Sequence, residues 1–331
     1  MSVKLCEKKL YPKRCKLAQG GYQPHMRAVV FHGIRDLRVE EVVEPEVGPR
    51  EAKIRVKYCG ICGSDLHEFL HGLFPQSSFG HEACGEIVEV GQEVKEFKTG
   101  DQVIAIQKGA YAEYLVCPEE RMIKKPAKMS WERAAVVEPL SGAAYAIEKG
   151  GVQPSDTVLV AGAGPVGLMI LLGLKAIGVE KIFVTDISDR RRKKAEELGA
   201  TLVLNPLAEK IPVRMKELSA GKGVDVAVEA VGIEATLKDC LASVRYQGKV
   251  IVQGIFTERV PMHMLGFVTR ETTMIGTNSD NLALAMSWIE SKEIRPELII
   301  TKIIPLEQIS AEGFEVLTKK EKEEIKILVA P

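Results

Sequence analysis

The stretch TVLVAGAGPVG, residues 157–167, decides the fold of this 331-residue chain. It begins as an apolar strand and enters a turn in which Gly162, Gly164 and Gly167 match the pattern G-x-G-x-x-G. Such glycines allow a tight turn, a close approach of the backbone to a pyrophosphate, and close packing of the helix on the strand. The apolar sequence continues to about Ile177, which indicates a buried helix. We therefore predict a strand–turn–helix unit that binds a dinucleotide.

The sequence on the C-terminal side of this unit alternates between strand and helix patterns. Residues 182–185 form the next apolar strand, a helix pattern covers 190–198, and further strands are indicated at 224–229 and 249–252. Strands that alternate with helices build a parallel, doubly wound sheet. We therefore predict an α/β fold with residues 151–278 as the dinucleotide-binding domain.

The N-terminal part of the chain has a different pattern. Over residues 26–106, short strands alternate with turns that contain Gly or Pro, which is typical of a β-rich domain. Strands that follow about Asn278 can return to this domain. We therefore expect a β-rich catalytic domain formed by residues 26–150 and 279–331, and we interpret residues 1–25 as an extension.

The residues around the glycine turn indicate which dinucleotide is bound. Pro165 and Val166 begin the helix, whose N-terminal N–H groups and partial positive charge favour a phosphate. Asp186 ends the second strand, close to the roughly 20-residue spacing at which a carboxylate accepts the ribose hydroxyls. Because this carboxylate repels a 2′-phosphate, we predict NAD rather than NADP, although arginines lie nearby. Arg191 and Val231 complete the set of residues that we assign to the cofactor.

Composition limits the classes of partner. The chain has 45 Lys or Arg and 45 Asp or Glu, and it has no basic block with interleaved aromatic residues, so we expect no nucleic-acid partner. Seven scattered cysteines in a chain of this size predict reduced thiols and a cytoplasmic location. The first 25 residues lack the apolar core of a signal peptide. The uncharged span 157–174 is interrupted by the glycine turn, so we predict no membrane helix.

Possible metal ligands lie in the N-terminal part. Cys62 is followed by the pair His81-Glu82, and a thiolate, an imidazole and a carboxylate are ligands that zinc accepts. Cys59 and Cys62 alone would also suit a redox pair or half of a zinc knuckle. Because the sequence has no second C-x-x-C, a closed structural zinc is not expected.

Together these motifs resemble the zinc-dependent medium-chain alcohol and polyol dehydrogenases. The resemblance is carried by Cys62-Gly63-Ser64-Asp65, Gly80-His81-Glu82 and Val137-Glu138-Pro139-Leu140, followed by the glycine turn. It runs from about Met26 to the C-terminus and is closest to the branch that holds butanediol, sorbitol and threonine dehydrogenases. It implies a GroES-like catalytic domain and a Rossmann domain.

The resemblance also implies the site residues and the reaction. The metal group is Cys62, His81, Glu82 and Glu138, and the proton relay is Ser64 and His67. Of the metal group, Glu82 is either a direct ligand or exchanges with water. The implied reaction is the NAD-dependent oxidation of a secondary alcohol, diol or polyol to its ketone, in a homodimer or homotetramer.

Two differences from the family limit how much the resemblance implies about this chain. Residues 101–107 run almost directly into residues 109–114 with no cysteine between them, so the lobe that carries a second, structural zinc in most relatives is missing. We therefore expect one catalytic zinc per chain. The interval between Cys62 and His81 is short for the family, and the missing residues usually help to wall the substrate cleft. The resemblance is therefore a poor guide to which alcohol is the substrate.

Two alternative functions stay open. One is a zinc-free reductase of the same superfamily that acts on quinones or enones, against which the ligands Cys62, His81 and Glu138 argue. The other is a non-catalytic nucleotide-binding protein, against which Ser64 and His67 argue. Metal analysis tests the first alternative, and turnover assays test the second.

Overall fold

The computed structural model describes residues 24–73, 79–291, 294–319 and 324–331. The predicted extension, residues 1–25, lies outside the described residues except for its last two positions. The strands are β1 His25–Gly33, β2 Asp36–Val43, β3 Glu51–Gly60, β4 Glu82–Val90, β5 Gln102–Ala105, β6 Tyr114–Pro118, β7 Met122–Lys124, β8 Thr157–Ala161, β9 Lys181–Thr185, β10 Leu202–Leu204, β11 Val224–Glu229, β12 Val244–Val252, β13 Thr273–Gly276, β14 Ile300–Pro305 and β15 Lys326–Ala330. The α-helices are α1 Gly63–His71, α2 Trp131–Ala134, α3 Val137–Gly150, α4 Pro165–Ala176, α5 Asp189–Glu197, α6 Ile211–Leu218, α7 Glu234–Ser243, α8 Met264–Thr269, α9 Leu282–Ser291 and α10 Glu315–Thr318.

The chain folds as two compact units. Of the described residues, the first unit takes those up to Val136, Ile300 to Lys319, and Lys326 to Pro331. The second unit takes Val137 to Ile299 and the short stretch 324–325. The N-terminal unit is therefore completed by β14 and β15, which come after the six-stranded sheet in the chain.

The first unit is built on a mixed sheet with the order β14-β15-β3-β4-β5-β7, and β6 also pairs with β3. The register of β3 with β4 places Gly60 opposite Glu82 and Cys59 opposite Ala83. The end of β15 pairs with the same end of β3, with Leu328 opposite Gly60. Segments that are distant in sequence therefore meet where β3 ends and α1 begins.

The second unit is a six-stranded sheet with the order β10-β9-β8-β11-β12-β13, in which every neighbouring pair is parallel. This is the doubly wound order, in which ligands bind at the carboxyl ends of the strands where the order reverses, beside β8. The prediction of a doubly wound parallel sheet is therefore confirmed. None of the helices that the structure describes is long and apolar enough to cross a membrane.

Two helices, α3 and α9, belong to a different unit from the one in which the sequence placed them. Residues 137–150, 279–291 and 294–299 lie in the second unit of the structure rather than in the first. The packing of α4 explains this grouping, because α3 and α9 both pack on it. Gly173 of α4 leaves room for Ile147 of α3 and Trp288 of α9, and a Cβ there would lie 2.6 and 2.7 Å from their side chains.

Candidate active site

Cys62 lies at the junction between β3 and α1. Its backbone is extended, with φ −94° and ψ 153°, and it is the N-cap residue of the helix. Asp65, in the first turn of α1, accepts a hydrogen bond from the Cys62 N–H at 3.4 Å. The local sequence therefore presents a half-buried Cys62 on a fixed backbone.

Three potential ligands come together beside this junction. Cys62 Sγ, a ring nitrogen of His81 and a carboxylate oxygen of Glu82 all lie within 4.8 Å of one another. Gly80 makes the arrangement possible, since its φ is +79° and a Cβ there would lie 3.0 Å from the Tyr111 ring. A thiolate, an imidazole and a carboxylate are a donor set that suits zinc. The residues present therefore fit such an ion.

Asp65 faces the back of the His81 ring. Oδ1 of the buried Asp65 carboxylate lies 3.7 Å from Nδ1 of His81. The same oxygen accepts a hydrogen bond from the N–H of Gly80 at 3.3 Å. A carboxylate behind a ligating histidine fixes the ring orientation and the tautomer. In this structure the carboxylate lies behind the His81 ring at a distance longer than a hydrogen bond, so it acts on the ring through its negative charge.

The glycine turn of the second unit has the geometry of a phosphate cradle. Gly162 has a φ of +104°, and a Cβ there would lie 2.5 Å from Cγ2 of Val231. A Cβ on Gly167 would lie 1.8 Å from the carbonyl oxygen of Gly162, so neither glycine can carry a side chain without displacement of its neighbours. The turn ends at the N-cap and first residues of α4, which are Gly164, Pro165 and Val166. The first-turn N–H groups of α4 are thus presented to a phosphate.

Asp186 and Arg191 lie beside this turn. The Asp186 carboxylate accepts hydrogen bonds from the N–H groups of Ala163 at 2.9 Å and Ser188 at 2.8 Å. Burial lowers the pKa of Arg191, whose Nε has no hydrogen-bond partner among the described residues, while Nη2 donates to the Glu324 carbonyl at 3.4 Å. The turn therefore presents a carboxylate that suits ribose hydroxyls and a guanidinium that suits phosphates. These residues fit a dinucleotide.

Comparison with known proteins adds an independent observation. Two family models match the chain, one described as zinc-binding dehydrogenase over residues 165–291 and one as alcohol dehydrogenase GroES-like domain over residues 48–127. An (R,R)-butanediol dehydrogenase of Bacillus subtilis (strain 168) is 33% identical, over 92% of this chain and 100% of that protein. The chain belongs to the zinc-dependent medium-chain alcohol and polyol dehydrogenase family.

Other members of the family agree with this assignment. A sorbitol dehydrogenase of Homo sapiens is 32% identical to this dehydrogenase, over 90% of this chain and 94% of that protein. The crystal structure of 2R,3R-butanediol dehydrogenase from Bacillus subtilis is similar with a TM-score of 0.84 at 33% identity, over 92% of this chain and 99% of that one. This dehydrogenase therefore combines a GroES-like domain with a Rossmann-type domain, as predicted. It is an alcohol or polyol oxidoreductase, and zinc and NAD are the cofactors typical of its family.

The predicted relay residues Ser64 and His67 lie on α1 of the dehydrogenase. They are three positions apart, which places them on neighbouring parts of one helix face. Nδ1 of His67 is buried and has no hydrogen-bond partner among the residues that the structure describes. Burial, and then the neighbouring His71, lower the pKa of His67 below its ordinary value of 6.5. His67 is therefore suited to accept a proton near neutral pH.

Glu138 is the predicted metal ligand that lies outside the three-residue cluster. It is the second residue of α3 and belongs to the second unit. The clustered donors Cys62, His81 and Glu82 all belong to the first unit. The assignment of Glu138 to the metal stays a prediction that depends on the family resemblance.

Lys326 is a residue of this site that the sequence patterns did not predict. It lies in β15 and forms an ion pair with Glu82, and both side chains are only 1% exposed. Its ammonium group also donates to the carbonyl of Ile61 at 2.9 Å. Gly60 leaves room for the pair, since a Cβ there would lie 2.2 Å from the Glu82 carboxylate and 2.8 Å from the Lys326 side chain. A lysine at the first position of the otherwise apolar strand KILVA is the signal that could have revealed it.

Proposed function

We propose that this dehydrogenase interconverts small secondary alcohols or vicinal diols and their ketones, with NAD as its preferred nicotinamide cofactor. The observation that carries the proposal is the clustering of Cys62, His81 and Glu82 within 4.8 Å. Relatives that align over nine-tenths of the chain are named butanediol dehydrogenase and sorbitol dehydrogenase, names that refer to a diol and to a sugar alcohol. These relatives support a substrate that carries a secondary hydroxyl group.

The three clustered donors and the glycine turn lie in different units, and the predicted ligand Glu138 lies in the same unit as the turn. Cys62, His81 and Glu82 would hold zinc, with Glu138 as the further predicted ligand. The turn around Gly162 would hold the pyrophosphate of NAD. When bound, zinc supplies a Lewis acid for the substrate oxygen, and NAD supplies the hydride acceptor.

The chain itself supplies the proton path. Ser64 would accept the proton of the substrate hydroxyl, and His67 would take it from Ser64 and release it to water. This role requires a neutral imidazole, and the lowered pKa of His67 keeps the ring neutral at physiological pH. The buried Nδ1, which lacks a partner among the described residues, supports a function for the ring beyond packing.

Asp186 would set the preference for NAD. Its carboxylate already accepts two backbone hydrogen bonds at the glycine turn, so it is fixed beside the place of the adenosine ribose. A fixed negative charge there accepts hydrogen bonds from ribose hydroxyls and repels a 2′-phosphate. Arg191 would bind a phosphate of the cofactor from the same side.

A substrate panel tests this proposal. Primary alcohols, secondary alcohols, vicinal diols and sugar alcohols would be compared with NAD by following the absorbance of the reduced nicotinamide. We expect butanediol- and acetoin-type compounds to react better than primary alcohols, because the resemblance is closest to the diol and polyol branch. Because the segment between His67 and His81 is short, we expect only modest discrimination among such substrates. If ethanol-like alcohols react better than every secondary alcohol and diol, the proposal is wrong. Full activity in metal-free protein would instead favour a zinc-free reductase.

We also propose that the enzyme is a homo-oligomer assembled through β13. This strand is at the edge of the six-stranded sheet, and Thr273 and Met274 are exposed there. Leu265 and Val268 of the adjacent α8 are each 65% exposed, which adds an apolar surface beside the edge. An unpaired edge with apolar neighbours favours pairing with its own copy about a two-fold axis. Light scattering that finds only monomers at micromolar concentration would contradict this proposal.

The cysteines support a cytoplasmic location. Cys59, Cys62, Cys84, Cys117 and Cys240 are all free thiols. Free thiols persist in the reducing cytosol, whereas secreted proteins tend to pair them. Fractionation of the source cells with an antibody to this chain would test the location.

A further inference from the structure

Tyr111 lies next to Gly80, which precedes the candidate metal ligand His81, and its hydroxyl group faces Asp65 and the carbonyl of Gly60. The side chain is 1% exposed, and its ring makes an edge contact with Phe314 at a centroid distance of 6.1 Å. The hydroxyl donates to Oδ2 of Asp65 at 2.7 Å, while the carbonyl of Gly60 lies farther away, at 3.1 Å. Phenylalanine would fill the same apolar space, so packing alone does not explain a hydroxyl here.

Asp65 connects this hydroxyl to both metal-ligand segments. Its Oδ2 receives the Tyr111 hydroxyl and the N–H of Cys62, and its Oδ1 receives the N–H of Gly80 and faces Nδ1 of His81. The contacts other than that of Tyr111 are 3.3 Å or longer, so the hydroxyl makes the shortest hydrogen bond to the carboxylate. Because Asp65 is buried, water does not readily replace a lost donor.

We propose that the Tyr111 hydroxyl is a positioning group for the metal centre: it holds the Asp65 carboxylate in the orientation that aligns His81 and the Cys62 backbone for the ion. The inference deepens the proposed function and rests on the metal site described there. Tyr111 acts through Asp65 and does not touch the metal ligands' donor atoms. Burial, and the neighbouring Asp65 charge, raise the pKa of Tyr111 well above its ordinary value, so the hydroxyl remains a donor over the working pH range.

The ring and the hydroxyl of Tyr111 have separable roles. The ring lies 3.0 Å from the place that a Cβ on Gly80 would take, so it shapes the turn that leads into His81. Tyr111→Phe keeps this ring and the contact with Phe314, and it removes only the hydroxyl, with its hydrogen bonds to Asp65 and to the carbonyl of Gly60. The substitution therefore separates the positioning role from the packing role.

The test measures zinc affinity in the full-length enzyme by competition with a chelator. Tyr111→Phe should weaken zinc binding about tenfold, at the lower end of the 10- to 100-fold range known for residues behind metal ligands. The absorption spectrum of the cobalt-substituted protein should also change, because the orientation of His81 changes. The matched control is Tyr114→Phe, which removes a half-buried hydroxyl from β6, on a ring that lies under Arg55. This control should leave both measurements unchanged.

A second substitution shows whether Tyr111 acts through Asp65. Asp65→Asn should weaken zinc binding by itself, and adding Tyr111→Phe to it should cause little further loss. If Tyr111→Phe failed to fold, zinc affinity of Asp65→Asn equal to that of the wild type would still overturn the inference.

The outcomes distinguish this inference from the proposed function. A Tyr111→Phe protein that binds zinc as tightly as the wild type, with the same cobalt spectrum, would overturn the inference even if its melting temperature fell. A wild-type protein that binds no zinc would overturn the metal site and the inference together.

Discussion

Replacing Lys326 by methionine removes one partner of the buried ion pair that Lys326 forms with Glu82. Methionine keeps most of the length of the side chain, so the change removes a charge and a donor more than it removes volume. It leaves the Glu82 carboxylate buried without the ammonium group, and it leaves the carbonyl of Ile61 without the donor that now lies at 2.9 Å.

The expected cost follows from the burial of both groups. Removing one partner of a buried ion pair costs about 3–5 kcal/mol of unfolding free energy, because the remaining charge is left uncompensated. In a domain of this size each kcal/mol lowers the melting temperature by roughly 2–4 °C, so the zinc-free protein should melt on the order of 10 °C lower. The loss should be smaller in the zinc-loaded protein, since a cation held by the cluster supplies positive charge to Glu82.

The assay is thermal unfolding of the zinc-free and zinc-loaded proteins. Lys302→Met is the matched control, because Lys302 pairs with Glu312 at positions where the side chains are 33% and 47% exposed. Such an exposed pair contributes far less to stability than a buried one, because water and salt screen its charges. Adding Glu82→Gln to Lys326→Met should restore part of the lost stability, since it removes the unpaired charge. If Lys326→Met shifts melting no more than Lys302→Met, the buried pair does not stabilise this unit as argued.

Three further predictions concern the ion, the cofactor and the pH dependence. The wild type should hold one zinc per chain and Cys62→Ser none, because the thiolate is lost; elemental analysis that finds two would contradict the missing structural lobe. Asp186→Gly should reduce the ratio of kcat/KM for NAD to that for NADP by roughly 10- to 100-fold, since a hydrogen bond to a charged group contributes about 1.5–3 kcal/mol. A wild type that uses both cofactors equally well in steady-state assays would refute the role of Asp186. Activity should fall as the pH drops through the pKa of His67, which is lowered below 6.5. Because His71→Gln removes a positive neighbour, it should raise this pKa and move the acid limb of the kcat/KM profile to higher pH. An acid limb that does not move would argue against His67 as the proton acceptor.

Local sequence rules predict the second unit well. The apolar strand, the turn of Gly162 and Gly167, and the following helix all obey constraints that act within about 20 residues of chain. At each position a Cβ would lie too close to a neighbouring atom, at 2.5 Å on Gly162 and at 1.8 Å on Gly167, so only glycine fits. Constraints of this kind leave a pattern that can be recognised without knowledge of the tertiary structure.

The clustering of Cys62 with His81 and Glu82 was also predicted, but through the family resemblance rather than through local rules. The partners of these residues were not predicted. Lys326 meets Glu82 only because β3, β4 and β15 pair in a particular register. Tyr111 meets Asp65 in a different way, because the segment before β6 bonds to Gly80 through the N–H of Ala110. A single sequence contains no periodicity that joins positions so far apart.

The grouping of α3 and α9 with the second unit was not predicted for a related reason. Both helices pack around Gly173 on α4, where a Cβ would lie 2.6 Å from the Ile147 side chain and 2.7 Å from that of Trp288. The helical patterns indicate that α3 and α9 exist, but a pattern does not state which neighbour each apolar face contacts.

The position of β15 in the chain has a consequence for biosynthesis. This strand pairs with β3 at Gly60 and carries the lysine that neutralises Glu82, yet it is translated only after the whole six-stranded sheet. During synthesis the second unit can therefore fold while the first unit still lacks a strand. The donors near Cys62 therefore acquire their buried counter-charge last, because Lys326 is translated after Cys62, His81 and Glu82.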